Sequence, residues 1–339
     1  MKLRYSPYTI KLKEEFNISI NSRITTPAII VEIEEDGFIG YGEASLPPYL
    51  KENQQSVINF LEKLDFSAFR ILNDFDEIFD YIDKIDEENH TAKAAVDIGL
   101  HDLYTKMKNL RLNDYLIIKK RDDLYTSFTI GISDVTTLKK KISKVQDYKY
   151  LKIKLGSKDD KNIISLINSI TDKKLFVDVN QGWYDEYYAL DMISWLAERN
   201  VLLVEQPLPK EKIKQMKWLY RNSPLPLIAD EAIQSVDDIY TIKDHYSGIN
   251  IKLMKCGGIR QAIRLIDKAK KMDLKIMIGC MTETSCAITA ACHLAPLADW
   301  IDLDGAELIS NDLFSGAKIV EGKLILPDRS GLGIEKISI

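Results

Sequence analysis

The sequence has few of the features that mark membrane, nucleic-acid-binding or disulfide-linked proteins. No apolar run approaches the roughly 18 residues that a membrane-spanning helix needs, and the N-terminal residues alternate instead of forming the apolar core of a signal peptide. No tract rich in lysine and arginine is interleaved with aromatic residues, as in a nucleic-acid groove. The four cysteines lack CxxC spacing, which favours reduced thiols. We therefore expect a cytoplasmic protein that binds neither nucleic acid nor membrane.

Histidine is scarce, and a dinucleotide-binding motif is absent. None of the four histidines closes any of the apolar runs described below, so a zinc hydrolase or a Ser-His triad has no support. No GxGxxG follows the first of those runs, which disfavours an open doubly wound sheet. With 339 residues, 45% hydrophobic and 29% charged, and a net charge of −5, the chain is long enough for two structural units or one large barrel with additions.

Residues 1–120 are predicted to form an α+β domain. Alternation over the first 45 or so residues predicts antiparallel strands, with Asp36-Gly37 as a turn. Between about residues 54 and 107 the hydrophobic period becomes helical, and Thr91 is a candidate helix N-cap. Strands followed by segregated helices are typical of this fold class.

Residues 121–305 are predicted to form a TIM-type barrel. From residue 125, eight strand-like runs begin roughly 25 residues apart, with amphipathic helical segments between most of them, as one strand, one helix and two short loops require. Right-handed crossovers then place the C-terminal ends of all strands on one face. Residues 306–339 return to strand and turn signals and are expected to rejoin the N-terminal domain.

Three acidic residues close apolar runs on successive predicted barrel strands: Asp178 in LFVDVN, Glu205 in VLLVEQP and Asp230 in PLIADEA. One such acid alone is most simply a solvated loop residue or a helix N-cap, but three in succession favour a shared site, because barrel strands are buried on both faces. Carboxylates without His or Cys suit one hard cation such as Mg²⁺. Asn180 and Glu231 lie nearby and are expected to support these ligands.

Lysines end the predicted strands on either side of the three acids. Lys152 and Lys154 point the same way on one strand; an isolated KxK is most simply an exposed edge, but here apolar residues interleave with it. We expect the charge of Lys152 to lower the pKa of Lys154. Lys252 ends a later apolar run, whereas Lys255 is interpreted as a loop residue. Two lysines on opposite sides of one carbon suit a 1,1-proton transfer through an enolate whose charge the metal neutralises.

These motifs together resemble the muconate-lactonizing subgroup of the enolase superfamily. The matching segments extend over most of the chain: K-I-K at 152–154, D-V-N-Q-G-W at 178–183, V-E-Q-P at 204–207, A-D-E at 229–231 and N-I-K-L-M-K-C-G-G at 250–258. The resemblance implies an α/β fold, a modified (β/α)7β TIM barrel with an α+β capping domain formed by the N-terminal segment and the C-terminal tail. By analogy it also implies a homo-oligomer.

The same resemblance implies roles for individual residues. The expected Mg²⁺ ligands are Asp178, Glu205 and Asp230. The expected acid/base pair is Lys154 and Lys252, with Lys152 tuning Lys154.

The I-D-L-D-G segment at 301–305 looks like the Asp-x-Asp of dipeptide epimerases. Asp302 and Asp304 share one face of the last predicted strand and suit the α-ammonium of a substrate; in isolation the pair could equally be a turn with Asx capping. The resemblance implies an isomerase of cell-wall peptide metabolism that converts a dipeptide, L-Ala-L-Glu to L-Ala-D-Glu, with Mg²⁺.

Side-chain specificity is expected to come from loops. Family members that prefer glutamate present an arginine after the first strand; that position here is Asn21, with Arg23 two residues away as either a carboxylate ligand or a solvated residue. Tyr49, in the loop 45–53, and Met281 and Glu283, after the seventh barrel strand, complete the expected substrate contacts. Epimerisation of hydrophobic or broad-range dipeptides is the alternative.

Three further functions stay open. An o-succinylbenzoate synthase or a cycloisomerase of the same superfamily would need neither Asp302 nor Asp304. An aldolase with a Schiff-base lysine would work without metal. A non-catalytic metal-binding barrel would exchange no substrate proton.

Overall fold

The computed structural model describes residues 1–19 and 21–337. The first part of the chain contains β1 (Lys2–Ile18), β2 (Asn21–Glu35), β3 (Phe38–Ser45), α1 (Gln54–Leu61), α2 (Phe75–Ile85), α3 (His90–Met107) and α4 (Leu112–Tyr115). β1, β2 and β3 form one antiparallel sheet, and α3 packs across it because the apolar faces of both elements need cover. This part is the capping domain.

The capping sheet follows the predicted turn but contains one irregularity. Glu35 pairs with Phe38, so Asp36 and Gly37 form a two-residue hairpin with positive φ at both positions, as the sequence predicts. The β1–β2 register shifts between Lys11 and Phe16, which makes a bulge in β1 beside the barrel.

The predicted N-cap of α3 is wrong. Thr91 lies inside the helix, and Asn89, in the left-handed region at φ 57°, occupies the cap position. The Thr91 N–H donates to Glu52 Oε1 at 2.8 Å, and its hydroxyl donates to the Met254 carbonyl at 3.2 Å. The side chain therefore joins the capping domain to the barrel instead of capping its own helix.

The barrel confirms the predicted fold class. Its eight strands form one parallel sheet in chain order. They are β4 (Ser127–Ile130), β5 (Tyr150–Lys154), β6 (Lys174–Asp178), β7 (Val201–Glu205), β8 (Leu227–Ala229), β9 (Gly248–Ile251), β10 (Lys275–Gly279) and β11 (Trp300–Asp302). The helices between them are α5 (Val135–Lys144), α6 (Asp160–Ile170), α7 (Glu186–Ala197), α8 (Ile213–Asn222), α9 (Ile239–Ile242), α10 (Leu253–Cys256), α11 (Ile259–Lys271) and α12 (Ser285–Cys292).

The barrel closes between β11 and β4 without a backbone ladder in the described part of the chain. Side chains make the join instead: Thr126 Oγ1 accepts from the Leu303 N–H at 2.8 Å, and Asp304 Oδ2 accepts from the Thr129 N–H at 2.6 Å. We call this junction the seam. Short 3₁₀ helices, Ala295–Leu297 and Gly305–Leu308, lie on either side of β11.

A buried acid of the capping domain caps a barrel helix. Asp97, on α3, accepts from the N–H groups of Ile259 at 2.6 Å and Arg260 at 3.2 Å, which satisfies the free donors at the start of α11. The preceding Gly258 has φ 106°, and a Cβ there would lie 2.5 Å from Asp97 Cγ. Only glycine therefore fits at this contact.

The C-terminal segment contains β12 (Phe314–Ser315), β13 (Lys318–Val320), β14 (Lys323–Ile325) and β15 (Glu335–Lys336). It returns to the capping domain: Asp102, buried on α3, accepts from the N–H groups of Leu332 at 2.9 Å and Tyr41 at 3.0 Å. No described helix combines the length and apolar character needed to cross a membrane.

Candidate active site

An apolar layer fills the barrel lumen just below the ends of its strands. Phe176, Leu203, Ile228 and Met277 pack together there and are almost fully buried. Side chains alternate along a strand, so the residue two positions later faces the same lumen one layer higher. Any polar residues at those later positions therefore lie above this apolar layer, at the mouth of the barrel. We call the layer the apolar floor.

Three carboxylates occupy that higher layer. Asp178 pairs with Glu205 across β6 and β7, and Glu205 pairs with Ile228 of β8, so Asp230 follows two residues later on the same face. One oxygen from each carboxylate lies within 4.8 Å of the others, and all three residues are buried. We call Asp178, Glu205 and Asp230 the carboxylate cage.

Two of the predicted lysines lie at opposite ends of the carboxylate cage. Lys154, on β5, places Nζ 2.5 Å from Asp178 Oδ2, and Lys252, just after β9, places Nζ 2.8 Å from Asp230 Oδ2. β5 and β9 are four strands apart in an eight-stranded barrel, so these lysines approach the lumen from opposite walls.

Lys152 lies lower in the lumen and contacts acids from both sides. Its Nζ is 2.7 Å from Glu205 Oε2, 3.1 Å from Asp178 Oδ2 and 2.7 Å from Asp302 Oδ2. Burial opposes the charge of Lys152, but these carboxylates outweigh it, Asp302 first, and raise the pKa of Lys152 well above its usual value. This lysine is therefore a fixed positive charge that links the carboxylate cage to the seam.

The pKa values within the carboxylate cage diverge because the neighbours differ. Burial, with the negative charge of Asp178, raises the pKa of Glu205 to about 7. Burial opposes the ionisation of Asp230 too, but Lys252 and Lys255 outweigh it and hold the pKa of Asp230 well below its usual value. Full ionisation of all three carboxylates at neutral pH thus calls for one more positive charge.

The carboxylate cage fits a hard divalent cation. Glu205 Oε2 is buried and accepts no hydrogen bond from the described residues, although the Lys152 ammonium is near it. Its other oxygen, Oε1, accepts from Asn250 Nδ2 at 2.8 Å, which fixes the carboxylate plane. An all-oxygen donor set with an oriented carboxylate suits Mg²⁺.

Asn180 and Glu231 lie at the rim of the carboxylate cage. The Asn180 backbone, at φ 45°, donates its N–H to Asp178 Oδ1 at 3.0 Å, and its side chain donates to Glu231 Oε1 at 3.2 Å. Burial, with the charge of Asp230, raises the pKa of Glu231 to about 8. The Asn180 backbone therefore orients Asp178, and Glu231 holds the Asn180 side chain.

The two acids of the Asp-x-Asp segment, Asp302 and Asp304, lie at the seam. They line the cavity at the mouth of the barrel, together with Lys154 and Lys252. Asp302 Oδ1 accepts from Ser127 Oγ at 2.7 Å, and Asp304 accepts from the N–H of Thr129 at 2.6 Å and from its hydroxyl at 3.1 Å. Burial, with the charge of Asp302, raises the pKa of Asp304 to about 7. Asp302 has a lysine partner; Asp304 has only neutral donors among the described residues.

The capping domain closes the cavity from above. The cavity has a volume of about 160 Å³ and opens to solvent, and Arg23 and Tyr49 are among the residues lining it. The Arg23 guanidinium lies 5.2 Å from the Phe16 ring centre and 5.6 Å from that of Tyr49. Its Nε is 3.3 Å from Thr26 Oγ1, and its Nη1 has no partner within the described chain.

The other predicted loop residues occupy different positions. Met281, after β10, lines the cavity, whereas Glu283 is buried and its Oε1 accepts from the Met281 N–H at 2.9 Å. Asn21 begins β2 and pairs with Ile18 in the hairpin. Of the residues that the structure describes, those lining the cavity do not include Asn21 or Glu283.

Sequence reasoning missed several residues that hold the site. Asn250 lies two positions before Lys252, so strand alternation alone could have placed it on the lumen face. Gln206 accepts from the Asp230 N–H at 3.0 Å through a side chain buried beside Tyr246, and no pattern indicates this. Lys255, interpreted as a loop residue, is buried on α10 and contacts Asp230 at 2.5 Å.

Two family models match the chain. The model described as "Mandelate racemase / muconate lactonizing enzyme, N-terminal domain" matches residues 4–116, and the one described as "Enolase C-terminal domain-like" matches residues 137–336. Together they span the capping domain, most of the barrel and nearly all of the C-terminal segment.

Individual proteins show the same similarity. The chain is 45% identical to the L-Ala-D/L-Glu epimerase of Bacteroides thetaiotaomicron, over 99% of this chain and 88% of that protein. A substrate-liganded L-Ala-D/L-Glu epimerase from Bacillus subtilis superposes with a TM-score of 0.93 at 27% identity, covering 100% of this chain and 99% of that one. A dipeptide epimerase from Enterococcus faecalis, complexed with Mg and L-Leu-L-Tyr, superposes at 0.89 with 30% identity, covering 98% of each.

Proposed function

The chain belongs to the mandelate racemase and muconate lactonizing family of the enolase superfamily, and from this premise we propose that it is an Mg²⁺-dependent dipeptide epimerase. The observation that carries the proposal is the order of charged groups around the barrel mouth. Lys154, the three acids of the carboxylate cage and Lys252 follow one another on five consecutive strands or strand ends. A metal site flanked by two amines on opposite walls suits proton transfer at a single carbon.

In this proposal the two lysines act at the α-carbon of the second residue of the dipeptide. Lys154 removes the α-proton from one face, and Lys252 returns a proton to the other, or the reverse, so the configuration inverts. Bound in the carboxylate cage, Mg²⁺ would supply charge stabilisation for the substrate carboxylate as the proton leaves. The apolar floor of Phe176, Leu203 and Ile228 keeps water away from the lysines from below.

The seam acids hold the α-ammonium of the first residue. Asp302 already has the Lys152 ammonium at 2.7 Å, whereas Asp304 faces the cavity with the neutral donors of Thr129. A buried carboxylate without a cation is costly, so a substrate ammonium stabilises its charged form. This requirement distinguishes a dipeptide from the substrates of an o-succinylbenzoate synthase or a cycloisomerase.

Arg23 supports glutamate as the second residue. Its side chain is 9% exposed, lies among the lining residues of the cavity and leaves Nη1 without an acceptor in the described chain. A buried guanidinium held between the rings of Phe16 and Tyr49 is preorganised for a carboxylate. We therefore propose conversion of L-Ala-L-Glu to L-Ala-D-Glu, with Met281 forming part of the same cavity wall.

Solvent exchange in D₂O tests the chemistry directly. With L-Ala-L-Glu and Mg²⁺, we expect NMR to show loss of the glutamate α-proton together with formation of L-Ala-D-Glu, and we expect chelator to stop both. N-acetyl-L-Ala-L-Glu, which lacks the ammonium, is the matched control and is expected to exchange far more slowly. Absence of exchange across a dipeptide library would instead favour a non-catalytic metal-binding barrel, and borohydride trapping of a lysine would favour an aldolase.

Arg23→Met tests the specificity. Removing a buried charge partner costs about 2 kcal/mol or more, so kcat/KM for L-Ala-L-Glu is expected to fall about 30-fold or more, while that for L-Ala-L-Leu changes little. Arg4→Met, at a site where the side chain is 45% exposed, is the control. Equal losses for both dipeptides would contradict a carboxylate-binding role and favour a hydrophobic or broad-range epimerase.

Two wider properties belong to the same proposal. The cysteines Cys256, Cys280, Cys286 and Cys292 are all free thiols, which supports a reducing, cytoplasmic location. A homo-oligomer follows only by analogy with the family, and light scattering of the purified protein would establish the number of subunits.

A further inference from the structure

A fourth lysine lies against the carboxylate cage and has no part in the chemistry proposed above. Lys255 is on α10, three residues after Lys252, and is only 7% exposed. A buried lysine is costly unless its charge is paired and its three protons are all used. Its partners therefore indicate its role.

The Lys255 ammonium is fully engaged by oxygen atoms. Its Nζ lies 2.5 Å from Asp230 Oδ1, 2.6 Å from the Asp230 carbonyl, 3.1 Å from the Ile233 carbonyl and 3.2 Å from the Asn250 carbonyl. Four acceptors for three protons leave no free direction toward a substrate. Lys252, by contrast, has a single acceptor among the described residues, Asp230 Oδ2 at 2.8 Å.

Lys255 and Lys252 contact different carboxylate oxygens of Asp230. Oδ1 is taken by Lys255, Oδ2 faces Lys252, and the Asp230 N–H is held by Gln206 Oε1 at 3.0 Å. The carboxylate can therefore not rotate to offer both oxygens to Lys252. The carbonyl contacts also fix the segment after β8 to the end of β9.

We propose that Lys255 is a positioning residue that orients Asp230 for the metal. It occupies Oδ1 so that Oδ2 stays directed into the carboxylate cage, and it keeps Lys252 from forming a two-oxygen pair with Asp230. The inference rests on the proposed Mg²⁺ site. Lys255 acts through Asp230 and touches neither substrate nor transferred proton.

Metal binding by the Lys255→Met protein tests this role without relying on turnover. Loss of a group that orients a metal ligand commonly weakens metal affinity 10- to 100-fold, so the Mn²⁺ dissociation constant, measured by electron paramagnetic resonance, is expected to rise at least about tenfold. Lys271→Met, on the exposed last turn of α11, is the matched control. A dissociation constant within about twofold of the unaltered protein, or a tighter one, overturns the inference.

A double-variant cycle separates orientation of Asp230 from general support of the fold. In an Asp230→Asn background the oriented charge is gone, so adding Lys255→Met is expected to change Mn²⁺ affinity by less than about twofold. In a Glu205→Gln background the loss of about tenfold or more is expected to persist. If Lys255→Met weakens Mn²⁺ binding equally in both backgrounds, the lysine supports the fold and does not act through Asp230.

Lys255→Gln keeps the test decisive if the methionine variant does not fold. Its amide can still donate to the carbonyls but carries no charge, and weaker Mn²⁺ binding with an unchanged circular dichroism spectrum is the expected result. Failure of the unaltered protein to bind Mn²⁺ would count against the proposed function as a whole. Binding by the unaltered protein and equal binding by Lys255→Gln would count against this inference alone.

Discussion

Asp178 and Glu205 face each other across a backbone ladder, whereas Asp302 and Asp304 face β4, with which their own strand forms no ladder in the described chain. In the carboxylate cage, strand pairing brings Asp178 level with Glu205, and Asp230 directly follows β8. At the seam, Ser127 and Thr129 hold the acids through side-chain and N–H donors. The same cavity is thus built by two different kinds of contact.

The carboxylate cage tolerates single substitutions better than the seam does. Register depends on every residue of a strand pair, so single side-chain substitutions in the cage alter chemistry but leave the ladder in place. At the seam, the groups that would bind the substrate also join the barrel's first and last strands. Substitutions there are expected to affect substrate affinity and stability together.

The largest effect is expected for the two lysines beside the carboxylate cage. Lys154→Ala and Lys252→Ala should each lower epimerisation about 1,000-fold or more, because each removes one acid/base group. Each variant is expected to retain α-proton exchange from only one stereoisomer, since the remaining lysine still reaches one face. Proton NMR in D₂O with L-Ala-L-Glu and L-Ala-D-Glu measures both quantities.

Lys271→Ala, on an exposed helix end, serves as the control for these two variants. Full epimerisation by either Lys154→Ala or Lys252→Ala would remove the two-base assignment. It would also mean that the opposite walls of the cage do not have separate roles.

A pH effect of intermediate size is expected at the seam. Burial, with Asp302, raises the pKa of Asp304 to about 7, so below that pH the empty site holds a neutral acid and loses affinity for an ammonium. With saturating Mg²⁺, the affinity for L-alanyl-α-methylglutamate, which has no α-proton to exchange, should fall about 20-fold from pH 7.5 to 5.5. Isothermal titration calorimetry measures it.

Propionyl-α-methylglutamate is the matched control ligand, because it lacks the amine but keeps the carboxylates. Its affinity should stay nearly constant over the same pH range. A parallel fall for both ligands would place the titrating group in the carboxylate cage instead of at the seam.

The smallest effect is expected in the barrel closure itself. Thr126→Val removes the acceptor of the buried Leu303 N–H, and an unsatisfied buried donor costs about 1 to 2 kcal/mol. Urea unfolding should show a decrease of that size in the free energy of unfolding. Thr25→Val, at an exposed position of β2, should leave it unchanged; an equally unchanged Thr126→Val protein would show that the seam is held by other contacts.

The sequence was sufficient to predict the carboxylate cage and insufficient to predict the contacts of the seam. Strand ends converge by topology, so the approach of Asp178, Glu205 and Asp230 followed from three apolar runs and their terminal acids. The absence of a ladder between β4 and β11 depends on barrel geometry that no local pattern encodes. For the same reason the contact between Lys152 and Asp302, 150 residues apart, was not predicted.

Errors in the helical parts have a common physical cause. Threonine is a common N-cap residue, but Thr91 contacts Glu52 and Met254 and lies within α3. Lys255 precedes two glycines and resembles a loop residue, yet the loop after β8 supplies carbonyl partners that bury it. In both cases contacts from distant segments outweighed local preference.

The contact of Asp97 with the start of α11, beside Gly258, makes the two domains depend on each other. α11 receives its cap from the other domain, through a contact that a single added methyl group at Gly258 would prevent. A barrel without this partner would leave the N–H groups at the start of α11 without their acceptor. Recombination that exchanged one domain for an unrelated one would leave α11 without this cap. We therefore expect the two domains to be inherited together.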